Sequence, residues 1–118
     1  MIHLMEDEWE IKNIGPAKII TSNLYPLIKY RKLNPIKLHL DEFAYKPLEE
    51  IETNGVRYKL ADISYPLFAI EGMENPYNKK YRMIDGRHRL LKQIILGHGT
   101  FLFYIFHYND IKHHIQRL

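Results

Sequence analysis

The way the apolar period changes along residues 80–106 constrains the fold of this chain more than any other feature. Residues 80–84 read as a short strand and Asp85-Gly86 as a tight turn. From Arg87 the apolar residues Leu90, Leu91, Ile94 and Ile95 fall at i, i+1, i+4 and i+5, one stripe of a helix. That helix stops at Gly97 or Gly99. Phe101-Leu102-Phe103-Tyr104-Ile105-Phe106 comes next, nearly all apolar and too short for a helix of its own, hence a central strand. Strand, helix and strand in this order call for a sheet with a helix packed on it.

The same segment carries charge at its turn. The first backbone N–H groups of a helix have no intrahelical partner, and the helix dipole is positive there. Gly86 allows an anion to approach, and Arg87, His88 and Arg89 supply charge, so Asp85-Gly86-Arg87-His88-Arg89 reads as a phosphate grip. Cations are mildly unfavourable at a helix start without a ligand, and two arginines there strengthen the reading.

The rest of the chain supplies the remaining elements. Residues 1–33 are broken by Gly15-Pro16 and Pro26 and read as a loosely patterned arm. A single folded unit spans residues 34–118. It begins with a strand over 36–40, where Ile36, Leu38 and Leu40 alternate with Lys37 and His39. A helix over 47–53, led by Pro47, ends at Asn54-Gly55. Residues 56–60 read as a short extended piece, and Leu67-Phe68-Ala69-Ile70 as a strand buried on both faces. This strand forms a hairpin with residues 80–84 across a loop holding Gly72 and Asn75-Pro76. Asn109 caps a closing helix that runs to about Arg117. The sum is a mixed α/β domain of the α+β kind, with helices packed on a mixed sheet.

Composition narrows the function. A chain of 118 residues fits one domain, and nine Tyr and five Phe fill its core. The absence of Cys excludes disulfides, thiolate metal sites and cysteine redox chemistry. No run of about 18 apolar residues is present to cross a membrane. Residues 1–8 are acidic where a signal peptide would be basic, which implies a cytoplasmic protein. The net charge of +3 is modest, but Lys79, Lys80, Arg82, Arg87, Arg89 and Lys92 form a dense local group. That distribution suits a small anionic ligand better than a long polyanion.

The layout resembles the ParB/sulfiredoxin-like domain. It is carried by Pro66-Leu67-Phe68-Ala69-Ile70, residues 81–84, Asp85-Gly86-Arg87-His88-Arg89-Leu90 and residues 101–106, and covers about residues 34 to 108. Sulfiredoxins have Gly-Cys-His-Arg at this turn; Arg87 stands at the place of the reactive cysteine, so sulfur repair is excluded. Partition proteins of the family have Gly-Glu-Arg-Arg, bind CTP and continue into a helix-turn-helix region, for which this chain ends too soon. The turn is most similar to the Asp-Gly-His-His-Arg of ParB-like free-serine kinases, departing from it only at Arg87. Small stand-alone domains of this kind also look like those encoded by phages. The resemblance implies ATP or CTP binding with Mg²⁺, NTP hydrolysis or phosphoryl transfer as the activity, and Glu42 as a candidate general base.

Several residues carry two readings. Asp85 is either the N-cap of the helix or a ligand for a divalent cation shared with a nucleotide. His88 is either a packing residue or a phosphate donor and proton carrier, catalytic together with Asp85 and Glu42. Glu71 and Glu74 either approach a ligand or are simply hydrated. The remaining histidines, His3 among them, lack metal-ligand spacing. The basic segments 29–32 and 112–117 read as solvated surface or as nucleic-acid contacts. The functional alternative to a nucleotide-binding protein is a non-enzymatic DNA- or protein-binding module, or a ParB-like nuclease.

Overall fold

The computed structural model describes residues 6–11, 15–73, 75 and 77–117. In chain order the elements are β1 (Glu6–Ile11), β2 (Gly15–Ile20), α1 (Tyr25–Tyr30), β3 (Ile36–His39), β4 (Phe43–Ala44), α2 (Val56–Lys59), β5 (Leu67–Glu71), β6 (Tyr81–Asp85), α3 (Arg87–Ile95), β7 (Thr100–His107), α4 (Tyr108–Ile111) and β8 (Ile115–Arg117). The strands form two sheets. A five-stranded mixed sheet has the order β3-β7-β5-β6-β4, and a three-stranded antiparallel sheet has the order β1-β2-β8. The fold is α+β.

The apolar run of β5 is buried because it lies between β7, parallel to it, and β6, antiparallel, with side chains covering both faces. Alternate residues point to opposite faces of a strand. Phe68 and Ile70 therefore join Ile19, Leu24, Ile84, Phe106 and Ile111 on one face. Leu67 and Ala69 join Leu38, Phe43, Met83, Leu90, Phe101 and Phe103 on the other. Leu90 brings α3 down onto the second face. Tyr25, Leu27 and Ile28 of α1 and Ile111 of α4 cover the first. Each face of the sheet thus has its own helical layer.

Three expectations are corrected. The stretch read as a loose arm holds β1, β2 and α1, and Ile19 and Leu24 are fully buried in the core. Pro16 lies opposite Glu10, before the residues Ala17–Ile19 that β8 pairs, so its missing N–H leaves no ladder bond to β8 unmade. Pro26 sits in the first turn of α1, where proline suits a helix.

No helix forms over 47–53. Those residues connect β4 to α2, and the helical turn comes only there, where an extended piece was expected. The closing helix also ends early. His107, through Nδ1, accepts the N–H of Asn109 at 3.1 Å and so caps α4 in its place. The chain then turns at residues 112–114 into β8, which pairs with β2. Among the described residues no helix is long and apolar enough to cross a membrane.

One irregularity positions the site. Phe68 pairs with Asp85, and the next residue, Ala69, pairs with Met83, so Ile84 is an extra residue on β6. Such a bulge bends a strand and re-aims the residues beyond it. Here these are Asp85, Gly86 and the start of α3.

Candidate functional site

Gly86 makes the turn from β6 into α3. Its φ is +109°, in the left-handed region, and its carbonyl accepts the N–H of Leu90 at 2.8 Å to open the helix. A Cβ here would run into Leu67 Cδ2 and approach Arg89 Nη2 at 3.0 Å. Glycine is thus required twice, by dihedral and by space. Gly86 also occupies the N-cap position, so the structural reading of Asp85 as the cap is corrected.

Asp85 is instead engaged by Arg89. The guanidinium Nη2 donates to Asp85 Oδ2 at 3.3 Å, one helical turn apart. Arg89 lies over the ring of Tyr65, 5.3 Å from its centroid, and its buried Nε has no hydrogen-bond partner among the described residues. Tyr25 stands close by: burial raises its hydroxyl pKa, the Asp85 carboxylate raises it further and Arg89 lowers it. Burial and then Tyr25 raise that of Tyr65. Arg89, expected to hold phosphate, is therefore largely a buried partner of Asp85, with only part of it reaching the cleft wall.

Arg87 and His88 are half-buried in the wall of the cleft. Arg87 Nη2 donates to the carbonyl of Pro47 at 2.9 Å, which fixes the guanidinium across the end of the 45–47 segment. Its Nε is buried without a hydrogen-bond partner among the described residues. The pKa of His88 is lowered by burial, then by Arg57 and Arg87. An imidazole with its pKa below the usual ~6.5 is mostly neutral at pH 7.

Two cationic residues at the site had no local signal in the sequence. Lys46 arrives because β4 runs parallel to β6 and carries the following residues toward Asp85. Arg57 arrives because α2 packs against α3, fastened by Lys92, whose Nζ donates to the carbonyls of Lys59 at 3.0 Å and Ala61 at 3.2 Å. Those bonds satisfy carbonyls at the end of α2 that a helix leaves open. Both residues are distant in sequence from the turn, so only the topology brings them in.

Three adjoining clefts meet around His88 and Arg57. The first, about 120 Å³, is walled by Lys46, Arg57, Asp85, Gly86, Arg87 and His88. The second, about 420 Å³, includes Glu50 and Glu52 facing Arg57, Arg87 and His88. The third, about 230 Å³, extends under Val56 and Leu60 toward Asp62 and Arg89. The first combines three cations with a helix start and one carboxylate, itself held by Arg89. That arrangement favours an anion with several acceptor oxygens.

Other sequence-derived candidates lie elsewhere. Phe43 of β4 pairs with Tyr81, so Glu42 sits near the opposite end of β6 from Asp85. At the usual rise per strand residue the gap is on the order of 15 Å. The Glu42 carboxylate accepts the backbone N–H of His39 at 2.8 Å. Glu71 pairs with Tyr81, at that same far end. Glu74 and His3 lie outside the described residues. Arg31, in one of the basic segments, is paired with Asp110 at 3.2 Å. Among the described residues no group of three or more His, Asp or Glu side chains is placed to hold a metal. The expected Mg²⁺ ligand, Asp85, is tied to Arg89.

The chain matches no protein-family model, no curated protein and no solved structure.

Proposed function

We propose that the cleft at the β6–α3 turn binds the phosphate portion of a nucleotide or a similar small molecule, in a cytoplasmic protein of the ParB/sulfiredoxin-like kind. One observation carries this reading: Lys46, Arg57 and Arg87, from three separate segments, line one small cleft at the start of a nine-residue helix. Like charges brought together from separate segments repel, and an anion bound among them relieves that repulsion. The pKa of His88 is lowered first by burial and then by Arg57 and Arg87, and that second contribution reflects the gathered charge. The α3 N–H groups and Gly86 cradle the phosphate, Arg57 and Arg87 neutralise it, and His88 adds a hydrogen bond.

If the bound nucleotide turns over, His88 is the proton carrier at hand, since it borders all three clefts. Glu42 is too far away to act as the base. Any Mg²⁺ would come with the nucleotide, ligated mainly by its phosphates.

The test is a thermal shift with millimolar ATP or CTP, with and without Mg²⁺. A ligand at 100 times its Kd stabilises by about 2.7 kcal/mol. Arg57→Ala and Arg87→Ala should each remove most of the shift, whereas Lys37→Ala on β3 should keep it. No shift with ATP, CTP or pyrophosphate at millimolar concentration would sink the reading. DNA binding that is steeply salt-dependent and indifferent to nucleotide would favour the alternative binding module instead.

A further inference from the structure

The phosphate cleft does not end at His88. Arg57, Asp85, Gly86 and His88 wall both it and the cleft of about 230 Å³ beneath α2, so a ligand anchored in the first has one continuous path into the second. The two ends differ in charge. Of the two, Lys46 and Arg87 belong to the first only, and Asp62 and the largely buried Arg89 to the other only, so the first end is the more cationic.

The wall of the second cleft is unusual for a surface. Val56 and Leu60 leave 70% and 73% of their area uncovered, and Ala61 continues the apolar strip. A flat, weakly polar body laid against them would remove that surface from water. The strip is also held in place, because Lys92 ties the carbonyls of Lys59 and Ala61 to α3.

Asp62 closes this end. Its Oδ1 accepts both the N–H of Ser64 at 3.0 Å and the Ser64 hydroxyl at 2.5 Å, which fixes the carboxylate in a turn. Its other oxygen, Oδ2, takes no bond from any described residue. The Ser64 bonds lower the pKa of Asp62, so the group is ionised at neutral pH. An ionised carboxylate only accepts hydrogen bonds. A ring that presents an amino group gains a bond there, and one that presents a carbonyl oxygen meets repulsion.

We propose that the ligand is a nucleotide whose base carries an exocyclic amino group, with phosphates between Lys46, Arg57 and Arg87, the ring against Val56 and Leu60, and the amino edge on Asp62. This rests on the phosphate-binding reading and adds base selection to it. The charge difference between the ends also sets the ligand's direction, since phosphates gain more from Lys46 and Arg87 than from the end that holds Asp62.

The experiment is isothermal titration of the full chain with Mg²⁺ and five probes: ATP, ITP, CTP, UTP and inorganic tripolyphosphate. ATP and ITP, like CTP and UTP, differ at the edge in question by an amino group against an oxo group. ATP and CTP should bind about tenfold or more tightly than ITP and UTP, a charged hydrogen bond gained against a repulsion. Asp62→Asn keeps the acceptor that Ser64 uses and can donate to an oxo group, so it should narrow each gap to about twofold or less. Leu60→Ser, at an exposed position, should weaken all four nucleotides and leave tripolyphosphate unchanged. Equal binding within each pair, or gaps that survive in Asp62→Asn, would overturn base selection. Tripolyphosphate binding as tightly as every nucleotide would likewise overturn it while the phosphate reading stands. Failure of all five probes to bind at millimolar concentration would remove both.

Discussion

Arg89 reaches back one turn of α3 to Asp85, Nη2 to Oδ2 at 3.3 Å, and the two side chains are only 9% and 10% exposed. Removing one partner of a buried pair leaves the other charge uncompensated, which is far more destabilising than removing both. Arg89→Ala should therefore cost about 3 kcal/mol in urea denaturation. Asp85→Ala combined with Arg89→Ala should cost clearly less than the two single losses added together. Additive losses would mean that the pair carries no coupling. Loss of ligand binding in Arg89→Ala would reflect this structural role, which is why Arg57 and Arg87 are the informative positions.

Gly86 and Gly97 both have positive φ, +109° and +87°, but only Gly86 is crowded. Among the described residues no atom beyond its own chain neighbours lies within 4 Å of a Cβ built on Gly97. Gly97→Ala should thus cost backbone strain alone, about 1 kcal/mol. Gly86→Ala adds a collision with the fully buried Leu67 and should cost roughly 3 kcal/mol, at the upper end of local backbone strain. Equal losses in equilibrium unfolding would refute the packing part of this argument.

The turn that Gly86 makes was legible because its determinants are local. Residues 81–84, Asp85-Gly86 and the Leu90, Leu91, Ile94, Ile95 stripe set the strand, the turn and the helix without distant partners. The strands at β3, β5 and β7 were legible for the same reason. The site was only half so. Arg87 and His88 were visible beside the glycine, whereas Lys46 and Arg57 enter through the β4–β6 pairing and the α2–α3 packing. Glu42 failed as a candidate because sequence order says nothing of which end of β6 it meets.

The first thirty residues misled for a related reason. Gly15-Pro16 and Pro26 are local breakers, but β2 is stabilised by β1 on one side and by β8, almost a hundred residues away, on the other. Leu24 tests how far this segment belongs to the fold. It is fully buried beside Phe68, Ile70 and Ile84. Leu24→Ala should cost about 2–5 kcal/mol, the range for emptying a buried leucine site. A loss under about 1 kcal/mol would mean that residues before β3 contribute little to the core.

His88 couples pH to both stability and binding. Its pKa in the folded chain is lowered by burial, Arg57 and Arg87, whereas in the unfolded chain it is near ~6.5. The unfolded state thus binds more protons in the interval between the two values, so stability rises with pH there. Stability is complete above ~6.5 and is lost as pH falls through the folded-state pKa. His114, lowered by burial and by His113, acts in the same direction. His88→Gln should make the fall in Tm between about pH 7.5 and 5.5 shallower without abolishing it. Ligand reverses the sign at His88. A phosphate beside the imidazole favours its charged form and raises its pKa, so binding takes up a proton. Affinity should rise as pH falls through the ligand-bound pKa and level off below the ligand-free one. Titration calorimetry in buffers of different ionisation enthalpy measures that uptake directly. An uptake that persists unchanged in His88→Gln would place the titrating group elsewhere.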